Sequence, residues 1–147
     1  MLINSDAPQV GDEAALDALT AAFFDAFTTG PGCAERLERL PGLFLPQAVI
    51  VRGGPEPLVV DVAGFVAPRR ALLLGGGLQE FREWETAAHT QVVGSVAQRS
   101  SRYAKEWIQD GSPHTGSGQK FLQFVHTASG WRISALAWED DPEPPSR

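Results

Sequence analysis

A chain of 147 residues fits one domain and leaves no room for two. Hydrophobic residues at 43% and charged residues at 20% make an ordinary globular composition, rich enough to build a core. A formal net charge of −6 and a pI of about 5.0 exclude a large basic patch, so nucleic acid is not an expected partner.

Met1 to Val10 carries no period and is expected to be a flexible N-terminus. From Gly11 to Thr29 the apolar residues Leu16, Leu19, Phe23 and Phe27 recur at three- and four-residue steps, which predicts a helix. Asp12 and Glu13 suit its first turn, and Gly30-Pro31-Gly32 stops it. Cys33 to Leu40 reads as a short second helix closed by Pro41-Gly42. Leu43 to Pro46 reads as a compact turn, Ala48 to Arg52 as a first strand, and Leu58 to Val60 as a brief one. Asp61 is placed to cap a third helix, Val62 to Leu74. Pro68 should kink or divide that helix, at a cost of about 3 kcal/mol if uncompensated. Gly75-Gly76-Gly77 ends the helix; it does not open one, so it is not read as a phosphate loop. Arg69-Arg70 is read as a solvated helix face.

Beyond Leu78 the pattern becomes strand-like. Strands are expected at Leu78–Gln91, Ser95–Gln109, Gly116–Thr127 and Trp131–Glu139. Turns fall at Val92-Val93-Gly94, Asp110-Gly111-Ser112-Pro113 and Ala128-Ser129-Gly130. Strands of this length need bulges and curvature to make a compact body. The acidic, Pro-rich stretch 140–147 is expected to be a disordered tail, leaving 11–139 as the domain. Helices followed by an antiparallel meander mean an α+β fold with helices on one sheet face.

No apolar run approaches the roughly 20 residues of a membrane span. The first residues lack the basic and apolar regions of a secretory leader, so a cytoplasmic location is expected and a membrane partner is not. Cys33 stands alone, so neither a disulfide nor a cysteine metal cluster can form. It is read as a small apolar residue in a reducing compartment.

The run Gly94-Ser-Val-Ala97-Gln-Arg-Ser-Ser101-Arg-Tyr103, then Gly118-Gln-Lys-Phe121-Leu-Gln123-Phe-Val, then Ser129-Gly130-Trp131-Arg-Ile133-Ser-Ala-Leu136-Ala-Trp138-Glu139, resembles the closing strands of SnoaL-like proteins of the nuclear-transport-factor-2-like (NTF2-like) superfamily. The order of the first half matches too. Gly64 to Leu72 and Phe81 to Glu85 look like an uncharacterised subgroup. The resemblance spans about Asp12 to Asp140. It implies a cystatin-like cone: a curved antiparallel sheet wrapped against helices, with a pocket at the wide end and a homodimer through the outer sheet face. Its members include isomerases, dehydratases, epoxide hydrolases, polyketide cyclases and many non-enzymes, so fold alone does not decide activity.

Pairing the strands through their turns sets His89 near Ala97, Glu85 near Ser101, Glu83 near Tyr103, and Arg99 near Gln123. One face then collects Glu83, Glu85, His89, Arg99, Ser101, Tyr103, Phe121, Gln123, Trp131 and Ile133. The other collects Trp84, Gln98, Arg102, Leu122, Phe124, His126, Leu136 and Trp138. A slip of one residue exchanges the faces. Apolar residues on both faces point to helices over one and a second subunit over the other.

In this register Glu85 and Arg99 are cross-strand neighbours, offering a carboxylate base beside a guanidinium, or else a structural ion pair. His89, an imidazole able to serve as a general base, is the third catalytic candidate. Glu83, Ser101, Tyr103, Phe121 and Gln123 are the ligand-binding candidates. His114 and His126 are not gathered with His89, so neither a metal nor another cofactor is expected. The tyrosine and paired aspartates of ketosteroid isomerase and the two pocket histidines of scytalone dehydratase have no match here. The carboxylate–Arg–carboxylate set of limonene epoxide hydrolase is echoed only in residue type. Three readings stand: a pocket for a small, mostly apolar molecule; a cofactor-independent isomerase, dehydratase or cyclase; or a dimerisation module whose cone is filled by Phe23, Phe27, Phe121 and Trp131.

Overall fold

A computed structural model describes residues 10–143. Residues 1–9 and 144–147, which hold nearly all of the expected flexible N-terminus and half of the expected tail, lie outside the described residues. Three helices, α1 (Val10–Asp25), α2 (Cys33–Arg39) and α3 (Val62–Leu74), pack on one six-stranded sheet. Its strands are β1 (Phe44–Arg52), β2 (Leu58–Val60), β3 (Gln79–Val93), β4 (Val96–Gln109), β5 (Ser112–Thr127) and β6 (Gly130–Asp140), in the order β2-β1-β6-β5-β4-β3. The sheet is mixed and open, because β1 runs parallel to β6 while every other pair is antiparallel. This is the expected α+β cone with helices on one face.

Local chemistry explains most boundaries. Asp61 caps α3 by accepting from the Gly64 N–H at 2.8 Å. α3 runs undivided through Pro68, so of the two expected outcomes division does not occur; the residue is exposed and borders a cavity. α1 ends at Asp25, four residues early, and a turn carries Phe27 into the core. β1 starts at Phe44, before the expected position. Its ladder with β6 is interrupted between Phe44 and Val49, where Pro46 has no N–H to donate.

The hairpins are tighter than the sequence suggested, and this resets the faces. β3 and β4 join through Gly94-Ser95, with Val93 opposite Val96. β4 and β5 join through Asp110-Gly111, both at positive φ, the conformation an Asp-Gly hairpin turn requires. Arg99 therefore faces Thr90 and Leu122, not Gln123, and Ser101 faces Ala88, not Glu85, with Lys120 on its other side. Ladder shifts at Glu85/Ala87 in β3 and at Gln123/Phe124 against β6 then change the phase midway. The first shift is why Glu83 and Glu85 point inward while His89 does not. The second lets Ile133 and Leu136 both point inward.

The concave face carries Leu122, Phe124, Trp131, Ile133, Leu136 and Trp138, all buried. Helix residues roof them with an aromatic cluster. Phe23 stacks on Phe65 at 6.3 Å, and Phe65 meets Trp138 edge-on at 5.7 Å. On the convex face one cross-strand row reads Val59, Val51, Ala137, Phe121, Ser100, His89. Phe121 is 58% exposed and Val59 64%. Leu122, Phe124, Leu136 and Trp138 thus belong to the concave side, and the apolar residues left outside are others than those expected.

Candidate functional site

Two charged clusters share the concave face. The first surrounds Arg99 on β4. Its Nε and Nη2 donate to the two Glu85 carboxylate oxygens at 3.0 and 2.6 Å, and its Nη1 donates to Asp17 of α1 at 2.7 Å and to Thr90 at 2.8 Å. Ser101, fully buried, donates to Glu85 at 2.6 Å. Hydrogen bonds donated to Glu85, and then to Asp17, outweigh burial and raise the Arg99 pKa above its ordinary value. This cluster ties α1 to the sheet. Its polar atoms are bonded to one another, and neither Glu85 nor Arg99 lines the cavity under α3.

The second cluster sits at the other end of the same strands. Gly116 and Gly118, alternate residues of β5, leave a lane across the sheet. Tyr103 on β4 lies opposite Gly118, and its ring crosses that glycine so that its hydroxyl donates to Asp140 on β6. Lys105 crosses Gly116 and places Nζ 3.1 Å from the other Asp140 oxygen. Burial raises the Asp140 pKa, but Tyr103 and Lys105 together outweigh it and hold the carboxyl below its usual range. Burial, reinforced by Asp140, pushes the Tyr103 phenol well above its own.

Next to this lane Lys120 of β5 is 5% exposed. Its Nζ stands 4.1 Å from the centre of the Tyr103 ring and 3.2 Å from Glu83 Oε2 of β3. That approach is out of line for a hydrogen bond, so Glu83 Oε2 is buried without a hydrogen-bond partner among the described residues. Burial lowers the Lys120 pKa more than Glu83 restores it.

A cavity of about 300 Å³ opens onto these residues between α3, the β1–β2 edge and the sheet. Phe65, Leu73, Phe81 and Trp138 supply apolar wall. Arg52, Arg69, Lys105 and Lys120 line it against the carboxylates of Glu83 and Asp140, a formal excess of two positive charges. Arg69, expected on a solvated helix face, instead lies over the Phe65 ring at 3.9 Å, and burial lowers its pKa. No three of His, Cys, Asp and Glu converge as a metal set among the described residues.

Solved structures place this architecture. A protein of Novosphingobium aromaticivorans described as NTF2-like with a cystatin-like fold superposes with a TM-score of 0.70 at 17% identity, covering 89% of this chain and 82% of that one. The chain has the cystatin-like fold of NTF2-like proteins. A protein of unknown function from Nostoc punctiforme, also described as cystatin-like, matches at a TM-score of 0.70 and 16% identity over 93% of this chain and 96% of that one. A second Novosphingobium aromaticivorans protein, assigned as the beta subunit of an aromatic-ring-hydroxylating dioxygenase, matches at 0.69 and 19% identity over 94% of each chain. No family model matches the sequence, and no curated protein matches it.

Within this NTF2-like fold the residues singled out from the sequence divide three ways. Glu85, Arg99 and Ser101 are brought together, but under α1 and away from the cavity. Glu83 lines the cavity, and Tyr103 lies buried beneath Lys120 and bonded to Asp140. His89, Phe121 and Gln123 are exposed, and the tighter hairpins set them on the convex face. Sequence reasoning missed Lys105, Lys120, Arg69 and Asp140. Asp140 was counted with the tail, yet it closes β6, and Asp141 beyond it bonds Arg102 and Ser117.

Proposed function

We propose that the domain binds a small, largely apolar molecule carrying one acidic group in the cavity under α3. The observation that carries this reading is a charge reversal. The chain is formally −6, whereas the cavity wall is formally +2 around an aromatic and aliphatic lining. A volume near 300 Å³ lies at the small end of ligand sites, about right for a single-ring acid. A chain of this net charge repels anions in general, so selective uptake of an acid would have to come from the cavity. The test compares benzoate with benzamide by thermal shift and calorimetry. Benzoate should stabilise the chain and benzamide should do so far less. Equal responses, or none, overturn the reading.

A second subunit belongs to the same proposal. The row Val59, Val51, Ala137, Phe121 presents apolar side chains from four adjacent strands to solvent, which suits a homodimer through the convex face. The likeness to an assigned dioxygenase beta subunit supports assembly of some kind. The compartment we assign is the cytoplasm. Cys33 is free and buried, with its thiol pKa raised by burial, and no described helix is long and apolar enough to cross a membrane.

A further inference from the structure

The geometry points to Lys120 as a nucleophile that condenses with the aldehyde or ketone of a cavity ligand to form an imine, with Glu83 as its proton partner. This rests on the cavity reading above and adds the reactive group of the ligand.

The chain has ten arginines but two lysines, Lys105 and Lys120, and both line the cavity under α3. Arginine stays charged and cannot supply an amine, whereas a desolvated lysine can. The two lysines are not equivalent. Lys105 is ion-paired to Asp140, to which its Nζ donates at 3.1 Å. Lys120 stands among aromatic faces, with Nζ 4.1 Å from the Tyr103 ring centre, 5.3 Å from Trp138, and 5.8 Å from Phe23. Burial there disfavours the ammonium and lowers its pKa.

Glu83 makes the second observation. A purely structural ion pair saturates its hydrogen bonds, as Arg99 and Glu85 do on the same sheet. Glu83 Oε2 instead is buried without one, 3.2 Å from Nζ and lining the cavity. At that separation a small rotation of the ammonium or of the carboxylate brings the pair into line, and Oε2 can then take a proton from Nζ. The freed nitrogen lone pair then bonds to the carbonyl carbon while the C=O π pair moves to oxygen, and the nitrogen, now cationic, passes one of its two protons to that oxygen to give a neutral carbinolamine. Glu83 returns its proton to the departing hydroxyl, the C–O bond breaks, and water leaves. An iminium forms with the Glu83 carboxylate beside it. The balance is one ammonium and one carbonyl in, one iminium and one water out.

The full chain, incubated with 4-carboxybenzaldehyde and sodium cyanoborohydride at neutral pH, is read by intact mass and peptide mapping. The expected result is a single reduced adduct on Lys120, formed at least tenfold faster than on Lys105 or the terminal amine, and absent in Lys120→Arg. No adduct, or one led by Lys105 or the terminal amine, overturns the inference. The wild-type map decides this even if the variant fails to fold. Thermal shift with unreactive 4-carboxybenzyl alcohol separates the two claims. A response without an adduct removes the imine and leaves the binding reading, whereas no response and no adduct removes both.

Discussion

The lane across β5 can be closed by one methyl group. In Gly118→Ala the new Cβ would lie 2.6 Å from the Glu139 carbonyl oxygen and inside the van der Waals surface of the Tyr103 phenol. The carbonyl belongs to the neighbouring strand of the ladder and cannot retreat without opening β5–β6. Tyr103 must move and release Asp140. Overpacking costs about 1–3 kcal/mol, and a lost hydrogen bond to a charged group about 1.5–3 kcal/mol. A restricted unfolded chain offsets roughly 0.4–1 kcal/mol of that. The net loss of about 1.5–5.5 kcal/mol, with an unfolding entropy of about 2.1 cal/mol/K per residue, lowers Tm by about 5–18 °C. Gly116→Ala is the control. Its Cβ would meet Cε of Lys105 at 2.8 Å, the far end of a flexible side chain that can swing aside. That change should stay within about 1 kcal/mol of wild type. Urea and thermal melts of the two variants measure the contrast. Similar stabilities for both, or a Gly118→Ala loss under about 1 kcal/mol, would refute the account of the lane.

Four further outcomes follow from particular contacts. Arg99→Met strands Glu85 with Ser101 as its remaining donor and should cost about 3 kcal/mol in a urea melt. Asp17→Asn should cost under about 1 kcal/mol, because Asp17 is 66% exposed. Asp140 and Asp141 have lowered pKa values, Asp141 about 2 through Arg102 and Ser117, so below the ordinary value of 3.8 the unfolded chain takes up protons first. Their stabilisation is present at neutral pH and lost as pH falls from about 4 through the folded values, and Asp140→Asn should flatten that limb of the urea midpoint against pH. Phe121→Lys places a charge in the convex apolar row and should convert a dimer to a monomer in light scattering at micromolar concentration, with little change in the monomer's helix content.

The elements were legible in the sequence because their signals are local. The three- and four-residue steps from Leu16 to Phe27, the Asp61 cap and the Asp110-Gly111 turn each act within a few residues. The faces were less so, because a strand's face depends on every residue between it and the turn. Nothing in Thr86 or Ser134 announces the ladder shifts beside them, and those shifts decide which carboxylates point inward. Phe121 was read as interior because an apolar residue in an alternating strand fits either face. Lys105 and Lys120 were passed over for the opposite reason, since a lysine in a strand is ordinarily a solvated one. Their scarcity beside ten arginines was the available signal.

The two ionic clusters separate by how completely they are bonded, although both are buried carboxylate–cation pairs on one concave sheet. Around Arg99 the guanidinium is matched on three sides and Glu85 accepts from two donors, so a ligand could enter only by breaking bonds already made. Around Lys120 the nearest carboxylate oxygen is aimed past the amine, aromatic faces replace acceptors, and open volume adjoins both groups. A buried polar atom without a partner costs roughly 1–3 kcal/mol, and that deficit is removed by whatever supplies the missing donor or proton. The same deficit is what would make binding at Lys120 favourable and binding at Arg99 unfavourable. By this argument Glu83, set inward by a bulge three residues away, matters more to function than the better-formed pair that the sequence brought forward first.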